Sequence, residues 1–178
     1  MIAELLAAYR PRDPDEAADL ARVRELVRDA DDPWSRAIPL HVTASALVVH
    51  PPTRQVLLRW HARQRAWLQV GGHADPGETD PLAVALREGR EETGLTDLRP
   101  WPDDALVQVT VVPVPAKGHE PAHEHADLRF LLATGAPERA RPEKPGADLR
   151  WLTVGQARDL TTERNVREMI DRAGEHFR

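Results

Sequence analysis

Apolar residues recur at helical spacing at both ends of this chain and at strand spacing between them. Ile2, Leu5, Leu6 and Tyr9 share one helical face until Pro11 interrupts it. Asp13 is placed to cap a second helix over 14–28, apolar at Ala17, Leu20, Val23 and Val27. Asp31, Asp32 and Pro33 mark a linker, with Trp34 as its anchor to the core. The run HVTASALVV over 41–49 is β-rich and mostly apolar, as a central strand would be, and Pro51 and Pro52 end it. QVLLRW over 55–60 and WLQV over 67–70 predict two further strands leading to a glycine turn. Asp80 as cap, Pro81 in the first turn and Gly94 just past the end bracket a helix over 81–93. Strands are predicted over 105–114 and 127–133, on either side of a Pro-, Gly- and His-rich loop over 115–126. A short strand over 148–152 leads to a capping box, Thr153 to Gln156, opening a helix toward Leu160. Val166, Met169 and Ile170 form the buried face of a last helix over 163–174. The order of elements gives an α/β fold with a mixed sheet between helical layers. Residues 1–36 read as an N-terminal helical extension and 37–178 as the main domain. The extension would lie against that domain or would equally serve as the contact of a homodimer.

The helix over 81–93 carries the most informative pattern. Leu82, Ala85, Leu86 and the small Gly89 can face a core, which leaves Glu88, Glu91 and Glu92 at i, i+3 and i+4 on one face. Three carboxylates in one turn repel each other, and the helix dipole at this C-terminal end worsens their position. Arg87 can pair with one of them, but a single guanidinium does not balance the cluster. Hard oxygen ligands suit magnesium, manganese or calcium, and magnesium commonly bridges to substrate phosphates. Alone, such a cluster would read as a solvated acidic helix end; the residues around it change that reading.

With those residues, the stretch 71–95 resembles the signature of the Nudix hydrolase family, G-x5-E-x7-R-E-U-x-E-E-x-G-U, where U is a bulky aliphatic. Gly72, Glu78, Arg87, Glu88, Glu91, Glu92, Gly94 and Leu95 stand at its fixed positions. Two departures are visible: eight residues rather than seven separate Glu78 from Arg87, and Gly89 stands where an aliphatic is usual. The insertion leaves open whether Glu78, Asp75 or Asp80 holds the arginine. Gly89 weakens a helix by about 1 kcal/mol relative to alanine, which points to a close packing contact there. The resemblance implies an α/β/α sandwich and a cofactor of Mg2+, with Mn2+ as the alternative. It implies Glu91 and Glu92 as metal ligands, the Gly72 carbonyl as a further oxygen, and Glu88 as ligand or general base. Glu92 is the ligand expected to matter most. Arg87 belongs with the catalytic set as an orienter, because a guanidinium stays protonated and cannot abstract a proton.

Composition narrows the partners. The net charge is −5 and the basic residues are dispersed, so no nucleic-acid polymer is expected, and an acidic chain that handles phosphates needs its own cation. There is no cysteine, hence no disulfide framework or thiolate chemistry. No apolar run approaches a membrane span and no signal-peptide pattern opens the chain, so the cytoplasm is the expected location. Heavy use of Arg, Ala and Pro with few Lys fits a bacterial genome rich in GC.

Outside the signature, the loop over 115–126 and its border hold Glu120, His123, Glu124, His125 and Asp127. Members of the family often recruit a further ligand or base from such a loop, and Glu124 and Asp127 suit a hard metal better than the histidines do. Imidazoles close together would instead suit zinc. His73 follows the glycines and can reach a phosphate or bond its own turn, and His41 reads as structural. Trp60 and Trp67 can stack on a flat leaving group or belong to the core. The expected function is metal-dependent hydrolysis of a diphosphate linkage in a nucleotide or a nucleoside-diphosphate-linked small molecule. The alternative is a nucleotide-sensing protein of the same scaffold without turnover. Isopentenyl diphosphate isomerases resemble this fold too, but they use a cysteine, which this chain lacks.

Overall fold

A computed structural model describes residues 2–177. Its eight strands form one mixed sheet with helices on both sides. The strands are β1 (Leu40–His50), β2 (Gln55–His61), β3 (Ala66–Leu68), β4 (Val70–Gly72), β5 (Arg99–Pro100), β6 (Gln108–Val114), β7 (His123–Ala133) and β8 (Leu149–Thr153). The helices are α1 (Ile2–Ala8), α2 (Pro14–Asp29), α3 (Pro81–Thr93), α4 (Val154–Leu160) and α5 (Arg164–His176).

β1 runs parallel to β7 from Leu40 opposite Glu124 to Val49 opposite Ala133, and antiparallel to both β2 and β4. It reads as a near-continuous apolar run because both of its faces are covered. Ala44, Ala46 and Val48 join one apolar cluster with Leu128, Phe130 and Leu132 of β7, Val84 and Ala85 of α3, and Leu6, Leu20 and Val23 of α1 and α2. Leu47 and Val49 face the other way, into a second cluster with Leu131, Ala133, and Val166, Met169 and Ile170 of α5. Trp34 packs half-buried against the first cluster.

The N-terminal helices are also tied by polar contacts. Arg172 of α5 donates to both oxygens of Glu16 on α2, at 2.7 and 3.0 Å, and to the Tyr9 hydroxyl at 2.8 Å, while that hydroxyl donates to Glu16. Asp19 accepts from the Val111 backbone N–H at 2.8 Å.

Three differences from the sequence reading matter for the site. β7 begins at His123 rather than Asp127, because its pairing with β1 and β6 continues through the histidine segment. β6 begins at Gln108, not 105, and the two-residue β5 is an additional strand. The first of these sets which side chains of 123–129 share a face.

The Glu16–Arg172 pair is nearly sealed from solvent, with 6% and 4% of the side chains exposed. Arg172→Ala strands a buried carboxylate, and urea unfolding is expected to show a loss of about 3–5 kcal/mol.

Candidate active site

Helix α3 has the predicted bounds and the predicted cap: the Asp80 side chain accepts from the Leu82 N–H at 3.1 Å, and Gly94 closes it in the left-handed region. The glycine turn lies directly against it. Gly71 has φ +146°, and a Cβ there would fall 2.3 Å from the Ser45 Cβ, so β4 can pair this closely with β1 only as glycine. At Gly72 a Cβ would lie 2.8 Å from the Glu88 carboxylate; the missing side chain is the space that carboxylate occupies.

Arg87 holds the assembly together. Its Nε and Nη2 donate to Glu78 at 3.0 and 2.9 Å, its Nη2 to the His73 carbonyl at 2.8 Å, and its Nη1 to Glu88 at 2.8 Å and Glu91 at 3.0 Å. Glu78 therefore takes the arginine despite the extra residue, which the turn before α3 absorbs. Asp75 is a more distant neighbour at 3.7 Å, and Asp80 is committed to the helix cap. The Arg87 hydrogen bond holds the Glu78 carboxyl below its ordinary range.

The three helix glutamates differ in setting. Glu92 accepts from the Gly71 N–H at 3.1 Å and pairs with Arg59 of β2 at 3.1 Å. Burial, against the pull of Arg59, raises its carboxyl to about 7. Burial likewise raises Glu88, against the pull of Arg87. Glu91 is the exposed one, with 54% of its side chain open to solvent. The sequence predicts three carboxylates gathered around a cation; here Arg87 draws Glu88 and Glu91 while Arg59 draws Glu92. The second guanidinium is the residue that sequence reasoning missed, and an arginine inside the apolar run QVLLRW was the available signal. Four carboxylates, counting Glu78, still face two guanidiniums, an excess of negative charge that suits a divalent cation. The donor set and the glycine cradle fit such an ion.

Next to the helix end lies a cavity lined by Gly71, Gly72, His73 and Glu92, by Arg36, Arg59 and Arg63, and by His123, His125, Asp127 and Arg129 in alternation along β7. Asp127 is buried and fully engaged, accepting from Thr43, Ser45 and Arg129 at 3.0, 2.8 and 2.7 Å. Arg129 is bound in turn to Gln108 and the Asn165 carbonyl.

Two expectations are corrected. Glu124 lies in the other row of β7, with Ala126 and Leu128, and pairs with Arg22 of α2 at 2.6 Å, so strand alternation turns it away from the cavity. Trp60 and Trp67 face each other across β2 and β3 with ring centroids 5.7 Å apart and pack into the second apolar cluster. Neither lines the cavity. His73 does line it, with its ring 3.1 Å, Nε2 to Nε2, from buried His41. Burial lowers His73 to about 3 and His125 to about 4, which keeps both imidazoles neutral.

The model of the NUDIX domain family matches residues 39–173. The chain belongs to the Nudix family. A probable DHNTP pyrophosphohydrolase of Lactococcus lactis subsp. cremoris (strain MG1363) is 32% identical over 108 residues, covering 60% of this chain. The chain spans about three fifths, 61%, of that relative's length. Among solved structures, an Ap4A hydrolase of C. elegans matches with a TM-score of 0.59 and 19% identity, covering 74% of this chain and 93% of that one. The dihydroneopterin triphosphate pyrophosphohydrolase of E. coli matches with a TM-score of 0.56 and 20% identity, covering 73% and 92%. At such identities the likeness is one of fold.

Packing accounts for the departure from the signature at Gly89. A Cβ there would lie 2.9 Å from Leu98 Cδ1 and 3.5 Å from Leu132 Cδ1, so Leu98 fills the space that a side chain at this position would need. Restoring an aliphatic by Gly89→Val is expected to overpack this contact and to lower stability in urea unfolding by about 1–3 kcal/mol, although glycine is the poorer helix former.

Proposed function

We propose that this Nudix protein is a divalent-metal-dependent pyrophosphohydrolase that cleaves a phosphoanhydride bond in a nucleotide or nucleotide-like polyphosphate. The observation that carries the reading is the placement of Glu88 and Glu92 against the Gly71–Gly72 turn at the rim of a cavity lined by arginines. The name of the 32%-identical relative, a probable DHNTP pyrophosphohydrolase, agrees with a pyrophosphate linkage as the bond cleaved.

Glu88, Glu91 and Glu92, with the Gly72 carbonyl, would hold Mg2+ or Mn2+. The ion supplies charge neutralisation at the phosphate and a water of lowered pKa. The rest falls to the chain's own groups. Arg59 would release Glu92 and turn to a phosphate oxygen; its Nε is buried without a hydrogen-bond partner among the described residues, as is the Oε1 of Gln69 beside it. Arg36 lines the cavity and makes no hydrogen bond or ion pair with any described residue, which leaves all its donors for a phosphate. Water attacks phosphorus, its proton passes to an α3 carboxylate that the ion leaves free, and the anhydride oxygen leaves with the departing phosphate. Arg87 keeps the loop and helix in register throughout.

With a panel of nucleoside and pterin triphosphates and dinucleoside polyphosphates, the wild type is expected to release pyrophosphate or phosphate with Mg2+ and to stop in EDTA. Glu92→Gln should lower kcat by on the order of 10³-fold while leaving the unfolding midpoint unchanged or higher. Equal turnover by wild type and Glu92→Gln would remove this site from the reaction, and tight binding without turnover would make the protein a sensor. Arg36→Ala is expected to raise KM about 10-fold, as for one lost charge-assisted hydrogen bond, with kcat nearly unchanged in steady-state assays.

A further inference from the structure

Four histidines from three segments meet beside the cavity: His73 after β4 and His123 and His125 on β7 line it, and buried His41 at the start of β1 packs behind them. Their ring centroids are 4.8 to 5.3 Å apart in five of the pairings. One ligand nitrogen each from His41, His123 and His125 lies within 4.8 Å of the others. We propose that these imidazoles form a second metal site, separate from the glutamate helix, that takes a borderline transition-metal ion such as Zn2+. It does not rest on the proposed activity.

The geometry has the features of a built ligand set. His41 Nδ1 is 3.0 Å from the Ile38 carbonyl and His123 Nδ1 is 3.0 Å from the Pro121 carbonyl. A carbonyl can only accept, so both rings carry their proton on Nδ1. This fixes the tautomer in the way that backbone carbonyls orient metal-bound histidines. The free lone pair of each is then on Nε2, and each Nε2 points at another imidazole: His41 at His73 and His123 at His125, both at 3.1 Å. Two nitrogens bound tetrahedrally to zinc at about 2.0–2.1 Å stand ~3.3 Å apart, close to these spacings. An ion would replace the two shared protons, with His73 and His125 moving theirs to Nδ1.

Ligand type separates this site from the helix. Imidazole suits zinc, whereas the carboxylates of α3 suit magnesium or manganese. Of the charges nearby, Arg36 opposes a cation, while Glu120, 3.8 Å from His123 Nε2 and paired with Arg63, and Asp127, paired with Arg129, favour one. A bound ion would add a positive charge beside the cavity.

The test titrates metal-free full-length protein with Zn2+ against a chromogenic chelator, in Mg2+ sufficient to fill the helix site. One Zn2+ per chain is expected. His123→Gln and His125→Gln, placed on the half-buried strand end, should each weaken it at least about 10-fold, and Glu92→Gln should leave it unchanged. Zinc-edge absorption of the loaded wild type, which needs no variant to fold, should show three or four imidazole nitrogens. No uptake by wild type, wild-type affinity in both histidine variants, loss in Glu92→Gln, or an oxygen-only shell would each overturn the proposal.

Discussion

The contacts of Arg87 are the constraint on which the site depends. One guanidinium joins the turn that follows β4, through Glu78 and the His73 carbonyl, to the last turns of α3, through Glu88 and Glu91. Five donors in a rigid plane can span two segments in this way; a lysine would offer a point charge and lose the register. The Glu78 hydrogen bonds hold the guanidinium protonated well beyond its ordinary range, so the arginine side of the link stays charged as pH rises. Everything chemical in the site is measured from this link: it sets how far Glu88 lies from Gly72 and where α3 presents Glu92 to Gly71.

A second balance lies in the sheet. β1 is covered on both faces, so its few polar side chains must be satisfied inside the protein. Thr43 and Ser45 are satisfied by Asp127, which the parallel β7 places beside them, and Arg129 closes the set. This rigid floor allows the cavity to be polar without loosening the core. At its rim the glutamates are held by arginines at 2.8–3.1 Å, and burial leaves Glu88 and Glu92 reluctant to carry charge. That is a strained electrostatic arrangement, and a divalent cation would relieve it by supplying a stronger partner than a shared guanidinium.

The sequence carried the local features best. Asp80, Pro81 and Gly94 defined α3 to the residue, the Thr153 capping box opened α4, and the small Gly89 announced its contact with Leu98. What it did not carry were facts set by pairing between distant segments. The start of β7 depends on its alignment with β1, and once that alignment is fixed, His123, His125 and Asp127 face the cavity while Glu124 faces Arg22. Composition alone could not separate them, because the segment reads as a polar loop. Arg59 was hidden for the opposite reason: its neighbours are apolar, and only the fold brings Glu92 to it. Trp60 and Trp67 resolve into core because β2 and β3 put them opposite one another.

The central claim is that the glutamate face of α3 exists to hold a divalent ion against the glycine turn. Its most direct test is anomalous diffraction from crystals soaked in Mn2+. The account predicts a peak bounded by Glu88 and Glu92 beside Gly72, with the Arg59 guanidinium moved off Glu92. A saturating soak in which Glu92 keeps its pairing with Arg59 and no peak appears beside α3 would contradict it.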